Sequence, residues 1–132
     1  VTRTSPRDLA AAVAAEISTI RHRHHNSGIV APSELLDALS AALADVGLSA
    51  VDRVHDLGHD DVALFTAEAV KGLEFDGVVV VNPHQIFDGS ARGARLLYVA
   101  MTRAVQVLHF VTDAALPAEL ALPAAADRPT AM

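Results

Sequence analysis

Apolar positions recur along this chain with two different periods, and the alternation between them sets out the elements. Behind Ser5-Pro6, a serine cap followed by proline at the first helical position, Leu9, Val13, Ile17 and Ile20 fall at helical spacing. This predicts a helix over residues 6–22, and Gly28 ends the polar loop after it. Ile29-Val30-Ala31 reads as a short buried strand stopped by Pro32. Ser33 is the expected cap of a second helix, with Leu35, Leu36, Leu39, Leu43 and Val46 on its apolar side and Gly47 closing it. Residues 50–54 read as a short strand, 55–61 as a polar connector, and 62–66 as another strand. The run Gly77 to Val81 is apolar on both faces, and such runs suit parallel strands covered by helices on each side. A loop over 83–93, a helix over 94–104 and a final strand over 107–112 complete the pattern. Strands alternating with helices imply a doubly wound α/β layer fold, and no internal repeat interrupts it. One domain is expected over residues 1–122, with an alanine- and proline-rich tail of little order over 123–132.

Composition narrows the function classes. At 132 residues the chain holds one domain with a real core; 52% of it is hydrophobic and 20% charged. With no cysteine there is no disulfide, thiol nucleophile or cysteine-zinc site, which fits a cytoplasmic protein. No apolar stretch approaches the roughly 20 residues needed to span a bilayer, so no membrane partner is expected. A net charge of −6 and 4% aromatic residues argue against a self-sufficient nucleic-acid platform.

Histidine spacing adds little. His22, His24 and His25 alternate with Arg21 and Arg23 at a helix end, where the dipole favours cations, and no carboxylate or cysteine completes a metal set there. His55 and His59 lie four apart but lack the HExxH arrangement, so no metal site is expected. Neither G-x-x-x-x-G-K-[ST] nor G-x-G-x-x-G occurs, and Lys71, the single lysine, is followed by Gly72.

Two segments carry the chemistry: TAEAVKGLEFD at Thr66 to Asp76 and LLYVAMTRA at Leu96 to Ala104. Together they resemble motifs V and VI of UvrD-like superfamily 1 helicases, which lie in the second RecA-like domain. With IVAPSELLDAL at Ile29 to Leu39 leading in, the chain is most similar to the HelD-like, or helicase IV-like, branch. The resemblance covers roughly residues 28–120. It implies a three-layer RecA-like domain of the P-loop NTPase type, with a mostly parallel sheet and without its own P-loop.

Arg103 has two readings from the residues alone. Its fixed, forked charge suits a phosphate delivered across an interface, or it neutralises the C-terminal end of its own helix. The resemblance implies the first, an arginine finger. It also implies a nucleotide-facing role for Glu74, whose ionised carboxylate can accept from a ribose hydroxyl, and close backbone approach at Gly72. Tyr98 either packs on the nucleotide side or sits half-buried between helix and sheet. Thr66, at a strand end, is implied to touch single-stranded nucleic acid, and Lys71 either contacts phosphate or ties its turn to an acidic neighbour. Glu68 departs from the pattern, since many relatives have histidine there and a carboxylate beside phosphate is unfavourable.

Without a P-loop the chain is expected to be silent alone, with ATP and Mg2+ held by an N-terminal RecA-like domain of the same protein. The expected partners are that domain and either single-stranded DNA or, for a HelD-type ATPase, RNA polymerase. The competing classes are a non-catalytic interaction module and a free-standing nucleotide-binding fold.

Overall fold

The computed structural model describes residues 1–53, 57–70, 73–87 and 89–115. Six strands form one sheet: β1 (Thr2–Arg3), β2 (Ser27–Val30), β3 (Ser49–Val51), β4 (Asp61–Phe65), β5 (Phe75–Val81) and β6 (Ala104–Thr112). Their order is β1-β6-β5-β2-β4-β3, and all five pairings are parallel. The helices are α1 (Leu9–Arg21), α2 (Leu36–Asp45), the single turn α3 (Pro83–Ile86) and α4 (Ala91–Met101). Among the described residues no helix is long and apolar enough to cross a membrane.

The strand side chains divide between two cores. Ile29, Val62, Leu64, Val79 and Val81 pack with Leu9, Val13, Ile17, Ile20, Leu39 and Leu43 beneath α1 and α2. On the opposite face Val30, Ala63, Phe65, Val78 and Val80 pack with Val70, Ile86, Leu97 and Ala100 beneath α3, α4 and the 66–70 crossover. This is the three-layer α/β arrangement that strands apolar on both faces require. Each fully buried valine or isoleucine contributes about 1.5–3 kcal/mol relative to exposure, so β5 anchors both cores.

Local chemistry places the helices. Ser5 Oγ accepts from the Asp8 amide at 3.2 Å, so the expected cap is present, but it opens a 3-10 turn (Pro6–Asp8), and α1 itself runs Leu9–Arg21 rather than 6–22. Gly47, at φ +82°, closes α2, with the Leu48 amide donating to the Leu43 carbonyl at 2.9 Å. Three expectations about α2 and the last helix are corrected. Ser33 does not cap α2: a 3-10 turn (Ser33–Leu35) begins after Pro32, and the helix proper starts at Leu36. Val46 is 51% exposed, because it lies past the helix end and off its apolar stripe. The last helix runs Ala91–Met101 rather than 94–104, since Ser90 Oγ accepts from the Gly93 amide and the chain must leave the helix to begin β6 at Ala104. β1 and α3 are additions to the expected elements; two and four residues are too short to show a period. The expected tail, 123–132, lies outside the described residues.

Two contacts tie α1 to the sheet. A Cβ added at Gly77 would lie 2.7 Å from Ile20 Cγ2 and 3.1 Å from Ser27 Oγ, so only glycine lets α1 and β2 approach β5 this closely. On β6, His109 Nε2 lies 2.9 Å from Thr2 Oγ1 and 3.5 Å from Glu16. Burial, with help from the positive charge at Val1, pushes the His109 imidazole below its usual value, and Glu16 opposes this only in part.

Gly77→Ala should lower stability by about 1–3 kcal/mol, read as a lower urea midpoint at unchanged slope. The depressed His109 value means that the unfolded chain binds the proton more readily. Its contribution to stability is therefore present above pH 6.5 and lost as pH falls through the folded value. Thermal unfolding from pH 8 to pH 5 should show a shallower acid loss in His109→Gln than in the unaltered chain.

Candidate functional site

A parallel sheet has two chemically distinct ends, and the motif residues divide between them. At the carboxyl end, the chain leaves β2 towards the α2 face, while it leaves β4 and β5 towards the α4 face. Divergence of this kind opens a crevice at a topological switch point, the usual ligand position in open α/β sheets. A crevice of about 200 Å³ lies there, lined by Pro32, Ser33, Glu34, Glu68, Gln85 and Arg92 among others. Thr66 stands at its margin, just past β4, with its Oγ1 accepting from the Ala69 amide at 3.3 Å. Glu68 and Arg92 face each other at 3.5 Å, both more than half exposed. A larger concavity of about 380 Å³ beside β3, lined by Leu36, Ser40, Ala50–Arg53 and Leu64, holds none of the motif residues.

At the amino end, Glu74 is exposed one residue before β5, and the Phe75 amide donates to the Arg103 carbonyl at 2.8 Å. That bond brings the two charged motif residues to adjacent strand starts. The Arg103 side chain is half-buried against the end of α4, where Nε donates to the Val99 carbonyl at 3.1 Å and Nη2 approaches Thr102 Oγ1 at 3.4 Å. Thr102 Oγ1 itself donates to the Tyr98 and Val99 carbonyls. No carboxylate among the described residues lies within ion-pair distance of Arg103. Two of the five guanidinium N–H groups thus hold the side chain in place, and the rest are not committed to a counter-charge. The helix-end role is real, and it leaves the outer donors for another acceptor.

Tyr98 is 69% exposed on the outer side of α4, so the half-buried reading between helix and sheet does not hold. It lies on the outward side because Leu97 and Ala100 take the buried stripe. Lys71 and Gly72 lie outside the described residues. Arg92 escapes any reading that starts the helix at residue 94; the S-x-x-G pattern at Ser90 to Gly93 is the signal that would have found it.

The sheet and its side chains define an open, parallel α/β domain carrying charged groups at both ends. Residues 61–111, which hold β4, β5, α4 and most of β6, match the model of the UvrD-like helicase C-terminal domain. Among solved structures the chain is similar over most of its length to the C-terminal domain of a possible DNA helicase from Lactobacillus plantarum WCFS1. Identity is 25%, the TM-score is 0.69, and the alignment covers 91% of this chain and 76% of that one. The fold is that of a helicase C-terminal domain. No curated protein matches the chain.

The exposed Glu68–Arg92 pair should contribute little to folding. Glu68→Ala and Arg92→Ala are each expected to change stability by less than about 0.5 kcal/mol in chemical denaturation, which leaves both free for functional tests.

Proposed function

We propose that this chain is the C-terminal lobe of a UvrD-like, ATP-dependent nucleic-acid motor. In this reading Arg103 and Glu74 face ATP and Mg2+ held by an N-terminal RecA-like lobe. The observation that carries it is the state of Arg103: anchored by its own helix, half-exposed at the sheet's amino end, and without a carboxylate partner among the described residues. Phosphoryl transfer gathers negative charge on the transferring group, and a pre-positioned guanidinium arriving across the interface compensates it. Glu74, one strand away, is placed to accept from a ribose hydroxyl. Tyr98 and Gly72 belong to the same side of the proposal, as a flanking ring and a close backbone approach. Thr66 and Lys71 are assigned to the single-stranded nucleic acid, and Thr66 stands at the end of the sheet away from Arg103. Support also comes from the family-model match over residues 61–111, which spans both motifs.

A second reading, a HelD-type ATPase acting on RNA polymerase, is favoured by one feature. Glu68 occupies the position where many relatives have histidine, and it is already engaged with Arg92. Binding to single-stranded DNA against binding to core polymerase separates the two.

The test combines the chain with a P-loop-bearing RecA-like lobe of the same motor and measures ATP hydrolysis. Arg103→Ala should lower kcat by about 10³- to 10⁵-fold, and Arg103→Lys should not restore it, because a point charge lacks the fork. Unchanged hydrolysis in Arg103→Ala would rule out the finger.

A further inference from the structure

Residues 21–25, RHRHH, hold two of the ten fixed cations and three of the seven histidines in a chain of net charge −6. A cation at the end of α1 is accounted for by the helix dipole, but five consecutive basic residues exceed what one helix end uses. Arg21 does have a structural task, since its Nη2 donates to the His59 carbonyl. His22, Arg23 and His25 have none: all three are exposed, and no carboxylate among the described residues pairs with them.

The turn that presents them is fixed. The His24 amide donates to the Ile20 carbonyl at 2.9 Å, the Ser27 amide to the His25 carbonyl at 3.0 Å, and Ser27 Oγ to the His24 carbonyl. The Asn26 carbonyl then accepts from the Asp76 amide at 2.8 Å, which pins the turn to the start of β5. On the other side of that same strand start, the Phe75 amide is bonded to the Arg103 carbonyl. Two strand spacings, roughly 10 Å, therefore separate the RHRHH turn from Arg103, and both border one edge from opposite layers of the sheet. Among the described residues the carboxylates at this edge include Glu74, Asp76, Asp60 and Asp61; Asp61 pairs with Arg53, and none of the four pairs with the turn.

We infer that His22, Arg23 and His25 form, with Arg103, one binding surface for the polyphosphate tail of a nucleoside triphosphate, the turn supplying affinity and Arg103 the reaction's charge compensation. The inference rests on the reading of Arg103 as a finger. A polyphosphate fits better than a nucleic-acid backbone, because the crevice and Thr66 lie at the opposite end of the sheet.

Sodium tripolyphosphate, titrated into the isotope-labelled chain at low salt against chloride of equal ionic strength, tests it by nuclear magnetic resonance. Signals of His22, Arg23, His25 and Arg103 should move together with one dissociation constant. The exposed double variant Arg23→Ala/His25→Ala should weaken binding about tenfold with the rest of the spectrum unchanged. Movement at Arg103 alone, or unchanged affinity in the double variant, overturns the inference and leaves the finger reading standing. Movement at 22–25 without Arg103 shows that no single anion is shared and also overturns it. A response of 22–25 to oligothymidylate but not to tripolyphosphate assigns the turn to nucleic acid and overturns it as well. In the assembled motor the double variant should raise KM for ATP about tenfold and leave kcat within about twofold, whereas Arg103→Ala lowers kcat.

Discussion

β5 is hydrogen-bonded on both sides and apolar on both faces, and the separation of Thr66 from Glu74 and Arg103 at its two ends follows from that constraint. A strand bonded to β2 and β6 cannot slide without breaking two ladders. A strand buried above and below cannot turn over without exposing one of two cores. Seven residues of β5, roughly 20 Å of extended chain, hold the two ends of the sheet apart. The ends then acquire different chemistry: a crevice with mixed charge where β2, β4 and β5 finish, and, around the starts of β2, β5 and β6, the RHRHH turn and Arg103 with Glu74 and Asp76 between them.

Arg103 shows why a structural role and a functional one need not compete. Its Nε–H caps the Val99 carbonyl, which satisfies part of the helix end and fixes the direction of the side chain. A long arginine free in solution would lose rotamer freedom on meeting a phosphate, whereas one already fastened at its base has less to lose. The bond that serves the helix end is thus also a means of pre-positioning. The Glu68–Arg92 pair illustrates the opposite case: two exposed side chains, weakly held, that add little to the fold.

Much of the fold can be read along the chain because its signals are local. Leu9, Val13, Ile17 and Ile20 state one face of a helix, all four are buried, and the valines of β5 could only belong between two layers. Elements shorter than one period, β1 and α3, leave no such mark. The motif residues are legible as residues, but their grouping is not. Thr66 and Glu74 are eight positions apart in sequence yet stand at opposite ends of the sheet, because the segment between them crosses it. His25 and Arg103 are distant in sequence and become neighbours only once the order β6-β5-β2 is known. Distances across strands are non-local, and periodicity carries no information about them.

If the amino end of this sheet is one wall of a phosphate pocket, a structure of the assembled two-lobe protein with a non-hydrolysable ATP analogue and Mg2+ tests it most directly. The Arg103 guanidinium is expected within hydrogen-bond distance of the terminal phosphate, its Nε still on the Val99 carbonyl. A closed complex in which the nucleotide contacts the other end of the sheet, with Arg103 facing solvent, would contradict it.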